Sequence, residues 1–393
     1  MRVLQINSVC GIRSTGRICT DIAAILEKQG HTCKIAYGRE TVPQQHQKYA
    51  HAMATGWSSR VDALRTRMFD NAGFNSTGQT KRFVRWMKAY DPDVIHLHNI
   101  HGYYVNIEVL FQALKEMDKP VVWTFHDCWP FTGHCAYFDA VKCEKWRDGC
   151  YSCPITRAYP ASFGYDRSKK NYAEKKACFT GVKDMTIVTP SKWLADLVKQ
   201  SYLKDYDVQV IPNGIDLAAF RPTEGTFREE YELQDKKIVL SVASAWEKNK
   251  GLYDLFKLAG MLGEEYRVVI VGLKPEQMEE VPQNVTAITR TNNVQQLAQI
   301  YTAADVFVNP TYQDNYPTVN LEAQACGTPV ITYRTGGSVE SVPENQVVEQ
   351  GNLEELCKAV RHLHLCEVKK ADFSAEKSFQ RYIDLYLRKA AER

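Results

Sequence analysis

The feature that most constrains the fold of this chain is an alternation of short apolar runs with amphipathic segments, sustained along almost its whole length. The first run, Arg2 to Asn7, is followed by a glycine-bearing loop and then by Ile18, Ile22 and Ile25 at helical spacing. Short, β-branched, nearly continuous apolar runs are typical of a parallel sheet that helices cover on both faces. The sequence therefore predicts an α/β protein.

The predicted strands fall into two groups, one in each half of the chain. Between the groups, Ile211-Pro212-Asn213-Gly214 predicts a turn-rich hinge. We expect two doubly wound domains, residues 1–214 and 215–373, and an amphipathic C-terminal helix over 374–393 that packs back on the first. Ligands of such sheets bind outside the carboxyl ends of the strands. The predicted strands are 2–7, 33–37, 94–97, 121–125, 186–189 and 208–211, then 237–242, 267–271, 285–289, 306–308 and 330–333.

Composition excludes several classes of protein. With 24% charged and 44% hydrophobic residues over 393 positions, the chain can build a core and is neither disordered nor of low complexity. Its 49 Lys and Arg against 46 Asp and Glu leave a net charge of +3, which gives no argument for binding nucleic acid. No window approaches the roughly 18 to 20 apolar residues of a spanning helix, and no secretory signal is seen, so we expect a cytoplasmic protein.

The most informative motif runs from Asp314 to Pro329. Pro317 suits the first turn of a helix, and Glu322 falls about one turn into it. The free N–H groups near 316–319 and the positive end of the helix dipole would bind anions or hydroxyl-rich ligands. The Glu322 carboxylate could accept hydrogen bonds from a ribose diol. An acidic residue that merely favours its own helix dipole is the alternative.

This motif resembles the E-x7-E signature of retaining glycosyltransferase family 4, with Asp314 where the first glutamate usually stands. The resemblance implies the GT-B architecture, in which two Rossmann-like doubly wound domains face each other across a cleft. The wording of 99–104 and 123–134 is similar to bacterial transferases that build capsular, colanic-acid-like or other exopolysaccharides. Other segments similar to the family occur in the expected order over nearly the whole chain, at 93–98, 124–127, 189–193, 211–216, 250–251 and 335–340.

The resemblance implies a retaining, metal-independent hexosyltransferase. Such an enzyme moves a sugar from a nucleoside diphosphate sugar, expected to be a UDP-sugar, to a glycan or lipid-linked acceptor in cell-surface polysaccharide synthesis. The sequence offers no good covalent nucleophile, so the paired-carboxylate chemistry of glycoside hydrolysis is not expected of Asp314 and Glu322. Two alternatives are a nucleotide-sugar 2-epimerase and a sugar-nucleotide-binding protein without activity.

Three residues are the predicted catalytic set. Lys250, just before a helix, would meet the negative charge that develops on the diphosphate, and the resemblance assigns Asp314 to the sugar ring. The resemblance also places His126 against the donor sugar, whereas a structural histidine bonded to Asp127 is the alternative. The family normally carries an arginine shortly before the lysine, which this chain lacks; Lys248 and Arg290 are the expected substitutes.

The remaining candidate residues come from three segments of the chain. Gly11 and Gly16 could let main-chain N–H groups reach a phosphate or the acceptor, although ordinary turn glycines explain them equally well. His96 is expected in the core of a strand, and His98 and His101 on the acceptor side. Asn315, Tyr316, Pro317 and Thr318 are expected to bind the donor together with Glu322.

Cysteines are numerous, twelve in all, and five of them lie between positions 128 and 153. In a reducing compartment such a cluster indicates metal ligands or free thiols in preference to disulfides. Four thiolates could close a structural zinc site, which would leave no open position for catalysis. Free thiols, or disulfides under oxidation, are the alternative. The four candidate ligands are Cys135, Cys143, Cys150 and Cys153.

A basic, aromatic stretch covers residues 57–90. It holds seven Lys or Arg against two acids, interspersed with Trp, Phe and Met. A helical face of this kind suits peripheral contact with anionic lipid at the inner face of a membrane. A solvated helix face over ordinary core packing is the alternative.

Overall fold

The computed structural model describes residues 1–54, 56–369 and 371–392, apart from the side chain of Lys248. The chain folds into two units, one formed by Met1–Ile211 with Phe379–Arg393 and the other by Pro212–Ser378. The sequence had set these boundaries after residue 214 and at residue 374. None of the helices in the described part of the chain is both long enough and apolar enough to cross a bilayer.

The first unit is built on a seven-stranded parallel sheet in the order β3-β2-β1-β4-β5-β6-β7. Every residue of the three strands β4, β5 and β6 is buried, as continuous apolar runs predict for a sheet covered on both faces. The strands are β1 Arg2–Asn7, β2 Thr32–Tyr37, β3 Ala50–Ala52, β4 Val94–Leu97, β5 Val121–Thr124, β6 Met185–Thr189 and β7 Asp207–Val210.

Six helices precede the last strand of this sheet. Aromatic side chains join the helices to the strands: the rings of Phe111 and Phe179 lie 4.6 Å apart, and Trp123 of β5 packs against both. The helices are α1 Arg13–Lys28, α2 Gly56–Phe69, α3 Thr77–Tyr90, α4 Ile107–Met117, α5 Ser168–Phe179 and α6 Lys192–Val198.

The second unit repeats the theme with a six-stranded parallel sheet in the order β10-β9-β8-β11-β12-β13. Its strands are β8 Lys237–Val242, β9 Tyr266–Val271, β10 Val285–Ile288, β11 Val306–Asn309, β12 Val330–Tyr333 and β13 Val347–Val348. Its helices are α7 Phe227–Glu230, α8 Leu252–Met261, α9 Val294–Ala303, α10 Thr318–Ala325 and α11 Leu353–Arg361.

The strand order of each sheet reverses once, between β1 and β4 in the first unit and between β8 and β11 in the second. At such a switch point the loops that leave the two strands diverge and open a crevice at the carboxyl edge. The loops after β1 and β4 flank the first switch point, and those after β8 and β11 flank the second. These are the positions where the sequence motifs lie.

The C-terminal helix, α12 Ala375–Ala391, begins in the second unit and continues in the first from Phe379. Tyr382 and Tyr386 are buried against the sheet of the first unit, where the Tyr386 hydroxyl lies 2.5 Å from Nδ1 of His96. His96 itself is fully buried in β4. The helix is therefore anchored by aromatic packing and does not project from the protein.

Candidate active site

Lys250 and Asp314 form the centre of a candidate site on the second unit. Lys250 lies in the loop after β8 and Asp314 in the loop between β11 and α10, so the fold brings both to the switch point. Nζ of Lys250 lies 2.8 Å from Oδ2 of Asp314, and their side chains are 33% and 19% exposed. A partly exposed ammonium paired with one carboxylate remains accessible to an anionic ligand.

The two loops are held together by their own polar groups. Nδ2 of Asn249 donates to Oε1 of Gln313 at 3.0 Å, and the Tyr312 N–H donates to the Asn249 carbonyl at 2.8 Å. Gly251 has a φ of 76°, and a Cβ there would lie 2.1 Å from the Pro310 carbonyl oxygen. Only glycine lets the chain after Lys250 approach the neighbouring loop this closely.

A buried chain of amides and hydroxyls fixes the start of α10. Asn309, the last residue of β11, donates from Nδ2 to Oδ1 of Asn320 at 2.8 Å, and Nδ2 of Asn320 donates to the Ser341 hydroxyl at 2.9 Å. Buried amides that are fully bonded rigidify their surroundings. Sequence reasoning missed Asn309 and Asn320, whose partners are far apart along the chain.

The four predicted donor-side residues before and at the start of α10 are close together in the structure. Pro317 directly precedes the helix, which begins at Thr318. Asn315 is buried, and Tyr316 is half-buried with Ile215 nearby. Burial raises the pKa of Tyr316 to about 12, so its hydroxyl stays protonated and can donate.

Glu322 is half-buried on α10, where its Oε2 accepts a hydrogen bond of 3.0 Å from the hydroxyl of Tyr301. Tyr301 is fully buried on α9, and burial, with the nearby carboxylate, raises the pKa of its phenol well above the ordinary value. The phenol is thus a fixed donor that orients Glu322. Tyr301 carries no local sequence signal, because it belongs to a different helix 21 residues away.

The two predicted substitutes for the missing arginine have different outcomes. The side chain of Lys248 lies outside the described part of the chain. Arg290 is exposed just after β10, the outermost strand of the sheet, with β9 between it and β8. Arg290 therefore follows a strand two positions from β8 in the sheet, and its role as the second cation stays a prediction.

His126 belongs to a hydrogen-bonded chain at the carboxyl edge of the first unit. It follows β5 and is half-buried, and its Nε2 lies 3.1 Å from Nδ1 of His98, which follows the neighbouring strand β4. Nε2 of His98 lies 3.0 Å from Oε1 of Gln5 in β1. Burial lowers the pKa of His126 to about 4, and it lowers the pKa of His98 well below its ordinary value.

Asp127 does not bond to His126, although the alternative of a structural His126 required this bond. Its Oδ2 accepts from Nε2 of His101 at 2.8 Å, and its Oδ1 accepts from the Trp129 N–H at 2.9 Å. Nδ1 of His101 lies 3.0 Å from the Tyr159 hydroxyl. His101 is therefore the histidine bonded to Asp127, and His126 is bonded to His98.

The glycines of the first loop close the loop on itself. The Gly11 N–H donates to the Gly16 carbonyl at 3.0 Å, so it does not point to a ligand as the sequence had suggested. Gly11 has a φ of 73°, which favours glycine for the backbone alone. Gly16 lies inside α1, where a Cβ would crowd Val9 at 3.0 Å. Close packing of the loop explains both residues.

The four candidate zinc ligands line one small cavity of the first unit beside the buried ammonium of Lys175. None of the four is in a disulfide, and the Gly133 N–H donates to Sγ of Cys150 at 3.1 Å. Across the described residues, however, no three Cys, His, Asp or Glu side chains are grouped so that they could hold a metal ion. The structural zinc at Cys135, Cys143, Cys150 and Cys153 stays a prediction, and metal analysis giving below about a tenth of an equivalent would contradict it.

The basic stretch 57–90 forms two helices of opposite character. In α3, Phe83 and Met87 are buried and Trp86 stacks on His51 at 3.6 Å, as in an ordinary surface helix. In α2 the polar face is turned inward, because its buried residues are Ser59, Asp62 and Thr66. Its apolar face is exposed, at Trp57, Val61, Leu64, Met68 and Phe69.

Profiles of known protein families match both halves of the chain. Residues 15–219 match the profile described as Glycosyltransferase Family 4, and residues 236–365 match the one described as Glycosyl transferases group 1. The first match alone covers more than half of the 393 residues. The two matched ranges contain all of the site residues described above except Gln5 and Gly11.

Curated relatives and solved structures agree with the family profiles. The chain is 24% identical to WcaC of Escherichia coli K12, named as a colanic acid biosynthesis glycosyl transferase, over 98% of this chain and 99% of the relative. CapM of Staphylococcus aureus, a capsular polysaccharide biosynthesis glycosyltransferase, is 24% identical over 38% of this chain and 43% of its own length.

Among solved structures, the sucrose-phosphate synthase of Thermosynechococcus elongatus matches with a TM-score of 0.73 at 17% identity, over 100% of both chains. Anabaena Alr3699/HepE in complex with UDP matches with a TM-score of 0.69 at 12% identity, over 99% of this chain and 100% of that one. At such identities the likeness concerns the fold, and it confirms the predicted GT-B class.

Proposed function

The chain belongs to glycosyltransferase family 4, and on that premise we propose that it transfers a sugar from a UDP-sugar to a lipid-linked glycan, with retention of anomeric configuration. The proposal places the reaction in bacterial cell-surface polysaccharide synthesis, in agreement with the names of WcaC and CapM. HepE, solved with UDP and with UDP-glucose, supports the choice of a uridine donor.

The observation that carries the proposal is the pairing of Lys250 with Asp314 at the switch point of the second sheet. When the donor binds, the ammonium would turn to the diphosphate, and the freed Asp314 carboxylate would accept from a sugar hydroxyl. Positive charge that is already in place lowers the barrier to departure of the diphosphate, without a metal ion. Glu322, oriented by Tyr301, would accept from the ribose hydroxyls.

The proposed reaction is a same-face displacement. The acceptor hydroxyl oxygen forms a bond to the anomeric carbon while the bond from that carbon to the β-phosphate oxygen breaks. The hydroxyl proton passes to the departing phosphate oxygen, and UDP leaves. No covalent intermediate on the protein is required, which agrees with the lack of a good nucleophile in the sequence.

A panel of UDP- and GDP-sugars, incubated with lipid-linked acceptors and read by mass spectrometry, tests the proposal. Nucleotide release with a glycoside product supports it, and NMR of that product reports retention or inversion. An epimerised donor would identify a 2-epimerase, and binding without turnover a non-catalytic protein. Activity that is unchanged by EDTA supports metal-independent chemistry. Glu322→Ala with unaltered donor affinity and turnover would refute the ribose role.

Helix α2 has its polar face buried and its apolar face exposed, and this inverted orientation supports contact of the first unit with a membrane. Trp57, Leu64 and Met68 lie at helical spacing on one face and are 75%, 57% and 56% exposed. A continuous exposed apolar face of this kind is costly in water and marks an interaction surface. Phe163, 69% exposed, extends the same patch, because its N–H donates to the Arg67 carbonyl near the end of α2.

The charges around this face select an anionic lipid surface as its partner. Arg60, Arg65 and Arg67 are exposed on α2 between the apolar positions. Arginines that flank an apolar stripe add electrostatic attraction to burial of the stripe at the headgroup boundary. We therefore propose that α2 and Phe163 dock on the membrane that carries the acceptor lipid, while α3 packs within its own unit.

Co-sedimentation with vesicles tests the docking. Vesicles with phosphatidylglycerol should bind the protein at low salt and release part of it at high salt, and neutral vesicles should bind less. Leu64→Ser with Met68→Ser should reduce binding several-fold, whereas Leu365→Ser, at an exposed leucine of the second unit, should not. Equal binding by both variants, or none to anionic vesicles, would contradict the proposal.

A further inference from the structure

The orientation of Gln5 determines the protonation of the histidines beside it. Gln5 is fully buried in β1, and its Nε2 donates to the carbonyl of Cys19 at 2.8 Å. Its other terminal atom, Oε1, therefore faces Nε2 of His98 at 3.0 Å. An amide oxygen can only accept a hydrogen bond, so the proton of this contact must lie on Nε2 of His98.

The hydrogen bond between His98 and His126 determines the tautomer of His126 in the same way. His98 is buried and neutral, so with a proton on Nε2 it has none on Nδ1. That bare Nδ1 lies 3.1 Å from Nε2 of His126 and must accept from it. A neutral His126 that donates through Nε2 has an unprotonated Nδ1, and no residue in the described ranges bonds to that atom.

Packing around His98 keeps this arrangement in place. The ring of His96 lies 3.9 Å from that of His98, and His96 is itself held by Tyr386 and by the Thr124 hydroxyl at 2.8 Å from its Nε2. The Trp123 indole N–H donates to the His98 carbonyl at 3.1 Å. A histidine held on this many sides has little freedom to flip its ring.

We propose that Gln5 and His98 act as positioning residues that fix His126 as the Nε2–H tautomer and thereby present its Nδ1 as a hydrogen-bond acceptor to a substrate hydroxyl. The tautomer follows from the hydrogen-bond chain and the neutrality of the two buried rings, whereas the identity of the hydroxyl, one on the donor sugar, rests on the proposed function. The opposite tautomer would present an N–H donor at the same place and select an acceptor atom of the ligand instead.

Nitrogen NMR of protein labelled with ¹⁵N-histidine tests the tautomer directly and needs no substrate. At neutral pH, the His126 signals, assigned by their loss in His126→Gln, should show a protonated Nε2 and a bare Nδ1, and His98 should show the same. A proton on Nδ1 of His126, or an even mixture of tautomers, would overturn the proposal while leaving glycosyl transfer untouched.

Two substitutions at Gln5 distinguish positioning from simple packing. Gln5→Glu keeps an acceptor oxygen opposite Nε2 of His98 and should leave His126 as the Nε2–H tautomer. Gln5→Leu removes the acceptor and should give mixed tautomers. Gln5→Leu should also raise the donor KM by about 3- to 10-fold with a smaller change in kcat, and the change in Gln5→Glu should be smaller. A His126 tautomer unchanged in folded Gln5→Leu would contradict the positioning role of Gln5.

Discussion

The carboxyl edges of the two sheets, each within its own unit, differ in their electrostatics. The edge of the second unit presents an ion pair, Lys250 with Asp314, that is partly open to solvent. The edge of the first unit presents a chain of buried, neutral groups that ends at His126. One edge thus offers charge and the other offers oriented hydrogen-bonding atoms.

This difference matches two kinds of chemical group that the proposed donor carries, a charged diphosphate and neutral sugar hydroxyls. A diphosphate is recognised by charge, and an ammonium that is already beside an anion can exchange that partner for another. Sugar hydroxyls are neutral, and buried hydrogen bonds of fixed direction discriminate among them more sharply than charge does. Each prediction below changes one of the two edges.

Removal of the cation should have the largest effect. Lys250→Ala should lower kcat/KM by about 10²- to 10³-fold, because one preorganised charge at a departing anion contributes about this much. Steady-state kinetics with the donor found in the panel measures it, and the salt dependence of kcat/KM should weaken in the variant. The His126 nitrogen signals should stay as in the wild type.

Lys257→Ala is the matched control, since Lys257 is an exposed lysine on the adjacent helix α8. Its kcat/KM should stay within about twofold of the wild type. A loss of kcat/KM in Lys250→Ala no larger than in this control would show that the charge of Lys250 does not contribute to the reaction.

Acid should weaken the neutral edge selectively. Burial lowers the pKa of His126 to about 4, against an unfolded value near 6.5. As the pH falls, His126 takes up a proton in the unfolded chain at a higher pH than in the folded chain. The free energy of unfolding is therefore highest above pH 6.5 and falls as the pH drops toward 4. For this residue the loss is roughly 3 kcal/mol. Thermal unfolding followed from pH 7 to pH 4.5 should show it as a falling Tm.

His126→Gln should flatten this pH dependence, since glutamine does not titrate. His364→Gln, at an exposed histidine of the second unit, should leave the slope of the wild type. A slope that is the same in both variants would show that His126 is not held neutral by the fold.

The sequence was sufficient for the fold, and it named two candidate residues, Lys250 and Asp314, that the structure brings together. Short apolar runs predicted eleven of the strands, whereas β3 and β13, with three and two residues, are too short to carry a pattern. The charged edge was predictable because Lys250 and Asp314 each lie in a motif of their own.

The neutral edge was only partly predictable, because its residues act through partners far apart in the chain. Gln5 is 93 residues from His98, and within the alternating pattern of β1 it reads as one more strand residue. The inverted helix α2 was missed for another reason. Helical periodicity shows that a segment has two faces, and only the structure shows that the polar face of α2 is the buried one.

The smallest expected effect concerns a neutral group that supports the charged edge. Tyr301→Phe removes the hydroxyl that donates to Glu322, at a cost of about 1 kcal/mol, which corresponds to a donor affinity about 5-fold weaker. Isothermal titration with UDP measures the change, and Tyr253→Phe, at an exposed tyrosine of α8, is the control. If UDP binds both variants equally, Glu322 does not depend on Tyr301 for its orientation. A loss confined to Tyr301→Phe would show that the charged edge, too, depends on buried neutral hydrogen bonds. The two edges would then present different groups to a ligand, but buried neutral hydrogen bonds would orient the groups of both.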